Sequence, residues 1–185
     1  MISKIAFIGS HGVGKTTLCY GLAARLKARD VSLEVVGEVA RRCPMPINRD
    51  TTLAAQSWIL HTQIAEEILA AARHEVVICD RSVLDNYVYL LIAAGRQRTI
   101  EELIRNWTET YDLLVHVPIV GGPRPDGTRA TDPAFQVAVE ERLTRELTER
   151  GLEYVDLRDL DREHWLDRVE ERAWSDLEPR QLELL

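Results

Sequence analysis

Residues 9–16 read Gly-Ser-His-Gly-Val-Gly-Lys-Thr, and this octapeptide constrains the fold more than any other segment of the chain. It matches Gly-x-x-x-x-Gly-Lys-[Ser/Thr], a pattern whose chemistry requires a strand before it and a helix after it. Both flanks comply. Residues 2–8 are a short apolar run with a β-branched bias, which reads as a buried strand. From Lys15 to about residue 29, Leu18, Leu22 and Leu26 recur on one helical face.

The physical reading of such a loop is anion capture. Glycines let successive backbone N–H groups turn inward on a triphosphate, and the following helix adds the positive end of its dipole. Gly9, His11, Gly12, Val13, Gly14, Lys15, Thr16 and Thr17 are therefore the candidate nucleotide-binding positions, with Lys15 neutralising the β- and γ-phosphates and Thr16 ligating Mg²⁺. A metal ion held with phosphates needs a further acid. Residues 75–80, Glu-Val-Val-Ile-Cys-Asp, supply one as an almost continuous apolar strand ending at Asp80, which would hold Mg²⁺ through water.

The rest of the chain alternates in the same way. Further strands are expected at 33–36, 112–118 and 153–157. Helices are expected at 53–73, introduced by the N-cap signal Asp50-Thr51-Thr52, and at 83–94, 100–109, 134–150 and 162–174. Residues 119–133 hold too many glycines and prolines for regular structure and carry Arg124 and Arg129, as a lid loop would. Alternation of strand and helix throughout implies one domain over 1–185, with a parallel sheet covered on both faces and a C-terminal helix and tail over about 158–185.

Two classes of nucleotide-binding protein fit less well. Mechanical ATPases of the AAA type usually place Glu directly after the strand-end Asp, whereas Arg81 stands here. The guanine-selecting Asn/Thr-Lys-x-Asp tetrapeptide of translational-type GTPases does not occur.

On these motifs the chain resembles the nucleoside and nucleotide kinase group of P-loop proteins, and in particular the ribosylnicotinamide-kinase-like branch often labelled as an AAA-type domain. The resemblance covers residues 1 to about 157 and implies a three-layer α/β/α sandwich with a parallel five-stranded sheet in the order 2-3-1-4-5. Residues 36–42, Val-Gly-Glu-Val-Ala-Arg-Arg, resemble that branch's Glu-x-x-Arg segment, which makes Glu38 the acid that aligns and deprotonates the acceptor and Arg41 its phosphate-facing partner. A hydroxyl is a poor nucleophile, and a carboxylate within hydrogen-bond reach both orients it and takes its proton. Asp80-Arg81-Ser82 resembles the Asp/Glu-Arg-Ser or Asp-Arg-x motif of deoxynucleoside and thymidylate kinases, in which the Arg contacts phosphate or the reacting acid. Gln63 is then the first choice for the acceptor pocket and Gln56 the second. Asp126-Gly127-Thr128-Arg129 resembles the branch's Asp-Gly-x-Arg, so that Arg124 and Arg129 would act on the transferring phosphoryl group from a closing lid.

The implied activity is phosphoryl transfer from ATP, with GTP as the alternative, to a nucleoside such as ribosylnicotinamide or a deoxynucleoside, or to a nucleotide. Two rivals remain: a regulatory or switch NTPase that hydrolyses without a metabolite acceptor, and a binding module that has lost turnover. Bulk composition narrows the partners. With 23 Lys+Arg against 30 Asp+Glu the formal charge is −7, so nucleic acid and anionic membrane are not expected partners. Three scattered cysteines and the lack of an apolar run near eighteen residues favour the cytoplasm. Monomer and homodimer stay equally open.

Overall fold

The computed structural model describes residues 3–47, 50–120 and 132–182. Five strands, β1 (Ser3–Ile8), β2 (Leu33–Val36), β3 (Val76–Asp80), β4 (Leu113–His116) and β5 (Val155–Asp156), form one parallel sheet in the order β2-β3-β1-β4-β5. The three-layer architecture and the strand order are those the resemblance implied.

Side-chain alternation along the strands divides the core in two. Ile5 and Phe7 of β1, with Val76 and Ile78 of β3, pack under α1 (Lys15–Lys27) and the Trp165 and Val169 side chains of α6 (Trp165–Leu182). Ala6 and Ile8, with Val77 and Cys79, point to the opposite face. There they meet α2 (Leu53–Ala71), α3 (Val83–Ala94), α4 (Arg98–Thr108) and α5 (Pro133–Glu149). A period of two along a strand buried on both sides produces this division without any special sequence signal.

Several boundaries differ from the sequence reading, each for a local reason. The lid was expected to run through residue 133, but Pro133 opens α5: Asp132 is its N-cap and accepts from the Ala134 N–H at 2.9 Å. Proline fits a first helical position because its missing N–H would have had no partner there. A 3₁₀ turn at Val39–Arg42, unanticipated, follows β2 directly. Another at Arg162–His164 leads into α6, which continues past the expected end at Trp174 to Leu182. Strand β5 is only two residues long. Among the described residues no helix is long and apolar enough to cross a membrane.

Register places the chemistry. Phe7 lies beside Asp80, Ile8 beside His116 and Val36 beside Cys79. The segments following β1, β2 and β3 therefore leave the sheet at the same carboxyl edge, where open α/β sheets bind their ligands.

Candidate active site

The loop after β1 is shaped by close approach. A Cβ built on Gly9, whose φ is +141°, would stand 2.4 Å from the Val117 carbonyl oxygen, so no larger residue fits. Gly14 is the N-cap of α1 in a left-handed conformation. No side chain caps that helix and no acid lies in its first turn. The start of α1 thus keeps its donors and its positive dipole end for an external anion. The Lys15 ammonium is buried and donates to the Gly9 and Ser10 carbonyls at 2.8 and 2.6 Å. Burial, reinforced by the nearby Arg81 guanidinium, pulls its pKa down to about 8. A polyphosphate fits this donor set.

Thr16 donates its hydroxyl to Asp80 Oδ2 at 2.6 Å. Oxygen donors of this kind suit Mg²⁺, which keeps several waters and takes one or two protein ligands plus phosphate. Among the described residues no group of three or more His, Cys, Asp and Glu side chains could hold a metal by itself. Asp85 secures the loop from beneath. Its Oδ1 accepts from the Gly9 N–H at 3.0 Å, while its Oδ2 accepts from the Ser82 N–H and hydroxyl in the capping box of α3.

Glu38, just beyond β2, is held between two arginines. Its Oε1 accepts from Arg81 Nε and its Oε2 from Arg41 Nε, each at 2.8 Å. Burial by itself would raise the Glu38 carboxyl, but Arg81, Lys15 and Arg41 outweigh it and hold the pKa at about 2. The guanidinium of Arg81 lies 5.2 Å over the Tyr89 ring. Its Nη1 is buried without a hydrogen-bond partner, 3.9 Å from Asp85 Oδ1.

Two hollows meet at this ion pair. One is the phosphate cradle, lined by residues 12–16 with Glu38, Asp80 and Arg81. The other, about 480 Å³ counted to its open mouth, is lined by Gln56 and Ile59 of α2, Asn86 and Tyr89 of α3, and by His11 and Ile47 among others. It too is walled by Glu38 and Arg81.

The structure redistributes some expected roles. His11, grouped by sequence with the nucleotide-binding loop, turns its ring toward the second hollow, with Nδ1 3.2 Å from the Tyr89 hydroxyl. Gln63 does not line that hollow. It is fully buried and donates to Glu67 and to the Arg81 carbonyl, so Gln56 is the glutamine at the pocket wall. Val13 lines the cradle and packs into the core below, whereas Thr17 is exposed in the first turn of α1. Arg124 and Arg129 lie outside the described residues. Asn86 and Tyr89 were missed: they sit one turn apart in an apolar helix, where sequence periodicity reads both as core.

A second group ties α5 to the loop. The Ser10 N–H donates to Glu140 Oε2 at 3.2 Å, its hydroxyl donates to the Gln136 carbonyl at 2.8 Å, and Gln136 Nε2 donates to the His11 carbonyl at 2.7 Å. Glu140 Oε1 is 2.6 Å from His116 Nε2, and His116 Nδ1 is 3.1 Å from Asp156 Oδ1. Burial opposes charge on His116, but these carboxylates outweigh it and raise the pKa.

Fold and site together define a P-loop nucleotide-binding protein with the architecture of the nucleoside kinases. The chain belongs to the AAA domain family, whose model matches residues 4–168. Among solved structures, deoxyadenosine kinase from M. mycoides with bound dATP is 14% identical, with a TM-score of 0.66 over 92% of this chain and 98% of that one. The NadR protein in complex with NR is 24% identical, with a TM-score of 0.72 over 92% of this chain. The chain spans about half, 51%, of NadR. At these identities the likeness concerns the fold. No curated protein sequence matches the chain significantly.

Proposed function

We propose that the protein is an ATP-dependent, Mg²⁺-assisted kinase that phosphorylates a nucleoside, such as ribosylnicotinamide or a deoxynucleoside, or a nucleotide. One observation carries this reading: Glu38 and Arg81, joined at 2.8 Å, line both the phosphate cradle and the adjoining hollow. A hydrolase needs room only for water beside its phosphates, whereas a walled second compartment sharing an acid and an arginine with the cradle suits an organic acceptor.

The chain's own residues divide the work. The loop N–H groups and Lys15 hold the polyphosphate, and Thr16 and Asp80 would hold Mg²⁺ with its waters. Bound Mg-ATP supplies the phosphoryl group and most of the charge that must be neutralised. Glu38, ionised at neutral pH by its arginine partners, accepts a hydrogen bond from the acceptor hydroxyl and aligns it. A carboxylate with a pKa of about 2 is a weak base, so orientation comes first and proton acceptance follows late, as a loose transition state allows. Arg81 spans acid and phosphate through its planar fork. Arg41 holds the other Glu38 oxygen. Gln56, Asn86 and His11 face the acceptor. Arg124 and Arg129 are assigned to charge stabilisation from the lid.

Formation of ADP from Mg-ATP by the purified protein, against ribosylnicotinamide, nucleosides and nucleoside monophosphates with a no-acceptor control, tests the reading. Stimulation by one compound, with a product heavier by one phosphoryl group, is expected. A slow rate indifferent to every acceptor would replace the kinase with a regulatory NTPase that binds its nucleotide in the same cradle.

A further inference from the structure

Arg81 has a φ of +105°, a conformation that residues with a side chain seldom adopt. Such a conformation persists only where the surroundings impose it, and two side chains from beneath the site grip this turn. Gln63 Nε2, on α2, donates to the Arg81 carbonyl at 3.2 Å and to Glu67 Oε1 at 2.9 Å. The Tyr111 hydroxyl, from the segment before β4, accepts from the Val83 N–H at 3.0 Å and donates to Glu67 Oε1 at 2.7 Å. The two grips bracket Ser82 and converge on one carboxylate oxygen.

The other oxygen is anchored in the opposite direction. Glu67 Oε2 accepts from Lys4 Nζ at 3.0 Å and from Trp107 Nε1 at 2.8 Å. Lys4 Nζ in turn donates to the Thr110 hydroxyl at 2.8 Å and lies 4.5 Å over the Trp107 ring. Glu67 has no solvent exposure. A buried ion pair is seldom the most stabilising choice for a core, and packed apolar residues usually serve as well. What apolar residues could not do is hold the Arg81 carbonyl and the Val83 N–H, the backbone groups that fix the chain as it leaves the positive-φ residue.

We propose that Glu67 is a positioning residue: through Gln63 and Tyr111 it fixes the turn at residues 81–83, so that the Arg81 guanidinium meets Glu38 where cradle and acceptor hollow join. The geometry of Arg81 stands apart from the activity; the catalytic consequence rests on the kinase reading above. Gln63 is thereby a link in this support rather than a substrate contact.

The test leaves the Lys4–Glu67 pair intact and removes both arms in the double variant Gln63→Leu, Tyr111→Phe. Solvent exchange of the Arg81 Nε–H, followed by arginine side-chain ¹⁵N NMR and assigned by its loss in Arg81→Lys, reads the geometry without reference to turnover. The Arg150 Nε–H, which donates to Glu146 Oε2 at 3.1 Å in a separate ion-pair cluster, serves as the internal reference. Exchange at Arg81 is expected to quicken roughly tenfold or more while Arg150 is unchanged. Unaltered exchange at Arg81, or equal quickening at both arginines, overturns the proposal. In the acceptor assay kcat should fall roughly ten- to a hundredfold with the KM for ATP unchanged, and the same pair of substitutions should add nothing in an Arg81→Lys background. Multiplying losses in that background would also overturn it. A wild-type protein that phosphorylates no acceptor defeats the kinase reading, while the exchange measurement still decides the role of Glu67. Should the double variant fail to fold, Tyr111→Phe alone is read in the same two ways.

Discussion

The Thr16 hydroxyl and the Asp80 carboxylate stand 2.6 Å apart, although 64 residues of chain separate them. The pairing follows from β3 lying beside β1, which sets the strand-end acid next to the first turn of α1. Asp80→Asn should preserve metal-free nucleotide binding and abolish the gain in affinity that Mg²⁺ confers. Turnover should drop about a hundredfold or more, as when a group stabilising transition-state charge is lost. Calorimetric titration of ATP with and without Mg²⁺ checks this, and an Asp80→Asn protein still tightened by Mg²⁺ would remove Asp80 from the metal site.

Lys15→Met should eliminate the rise in melting temperature that ATP confers, while the free protein melts no lower than wild type. The Lys15 ammonium is buried beside Arg81, so its hydrogen bonds to the Gly9 and Ser10 carbonyls are offset by lost hydration and like-charge repulsion. Thermal melts at several ATP concentrations give both numbers.

Glu38→Gln should leave ATP affinity near that of wild type and slow acceptor phosphorylation by roughly 10²–10⁴-fold. Equal loss of nucleotide affinity in Glu38→Gln and Lys15→Met would contradict the separation of roles.

Asn86 is 4% exposed, lines the hollow beside the phosphate cradle and keeps its Nδ2 buried without a hydrogen-bond partner. Asn86→Ala should raise the acceptor KM by about tenfold with the KM for ATP unmoved, the pattern of a donor used by the acceptor alone.

His116 contributes a pH-dependent clamp between the sheet and α5. Glu140 faces it from α5 and Asp156 from β5; the Tyr154 ring, just before β5, also meets it edge-on, and Arg158, just after β5, pairs with Asp156. Its folded pKa is raised, so its contribution is complete below the unfolded value of roughly 6.5 and is lost as pH rises through the folded value. Each unit of that difference is worth roughly 1.4 kcal/mol. Chemical denaturation between pH 6 and 9 should show stability declining in wild type and a flatter profile in His116→Asn.

Local chemistry made much of this protein legible in its residues. The glycine spacing of 9–16, the apolar run ending at Asp80 and the alternation of periods needed no partner to be recognised, because each reflects backbone sterics or the repeat of a single element. The strand order came from resemblance rather than from pattern. Tertiary structure alone decided which groups meet. Gln56 and Gln63 are seven residues apart and share one face of α2, so periodicity could not say which turn reaches the hollow and which lies beneath Arg81. The position of the helix along the sheet settles it. The same holds for His116 with Glu140 and Asp156 and for Glu67 with its two arms, whereas the contact of Arg81 with Glu38 was one of the two that resemblance offered for that arginine. Each depends on strand register and helix packing between distant segments, and hydrogen bonds at that range leave no periodic trace in the chain.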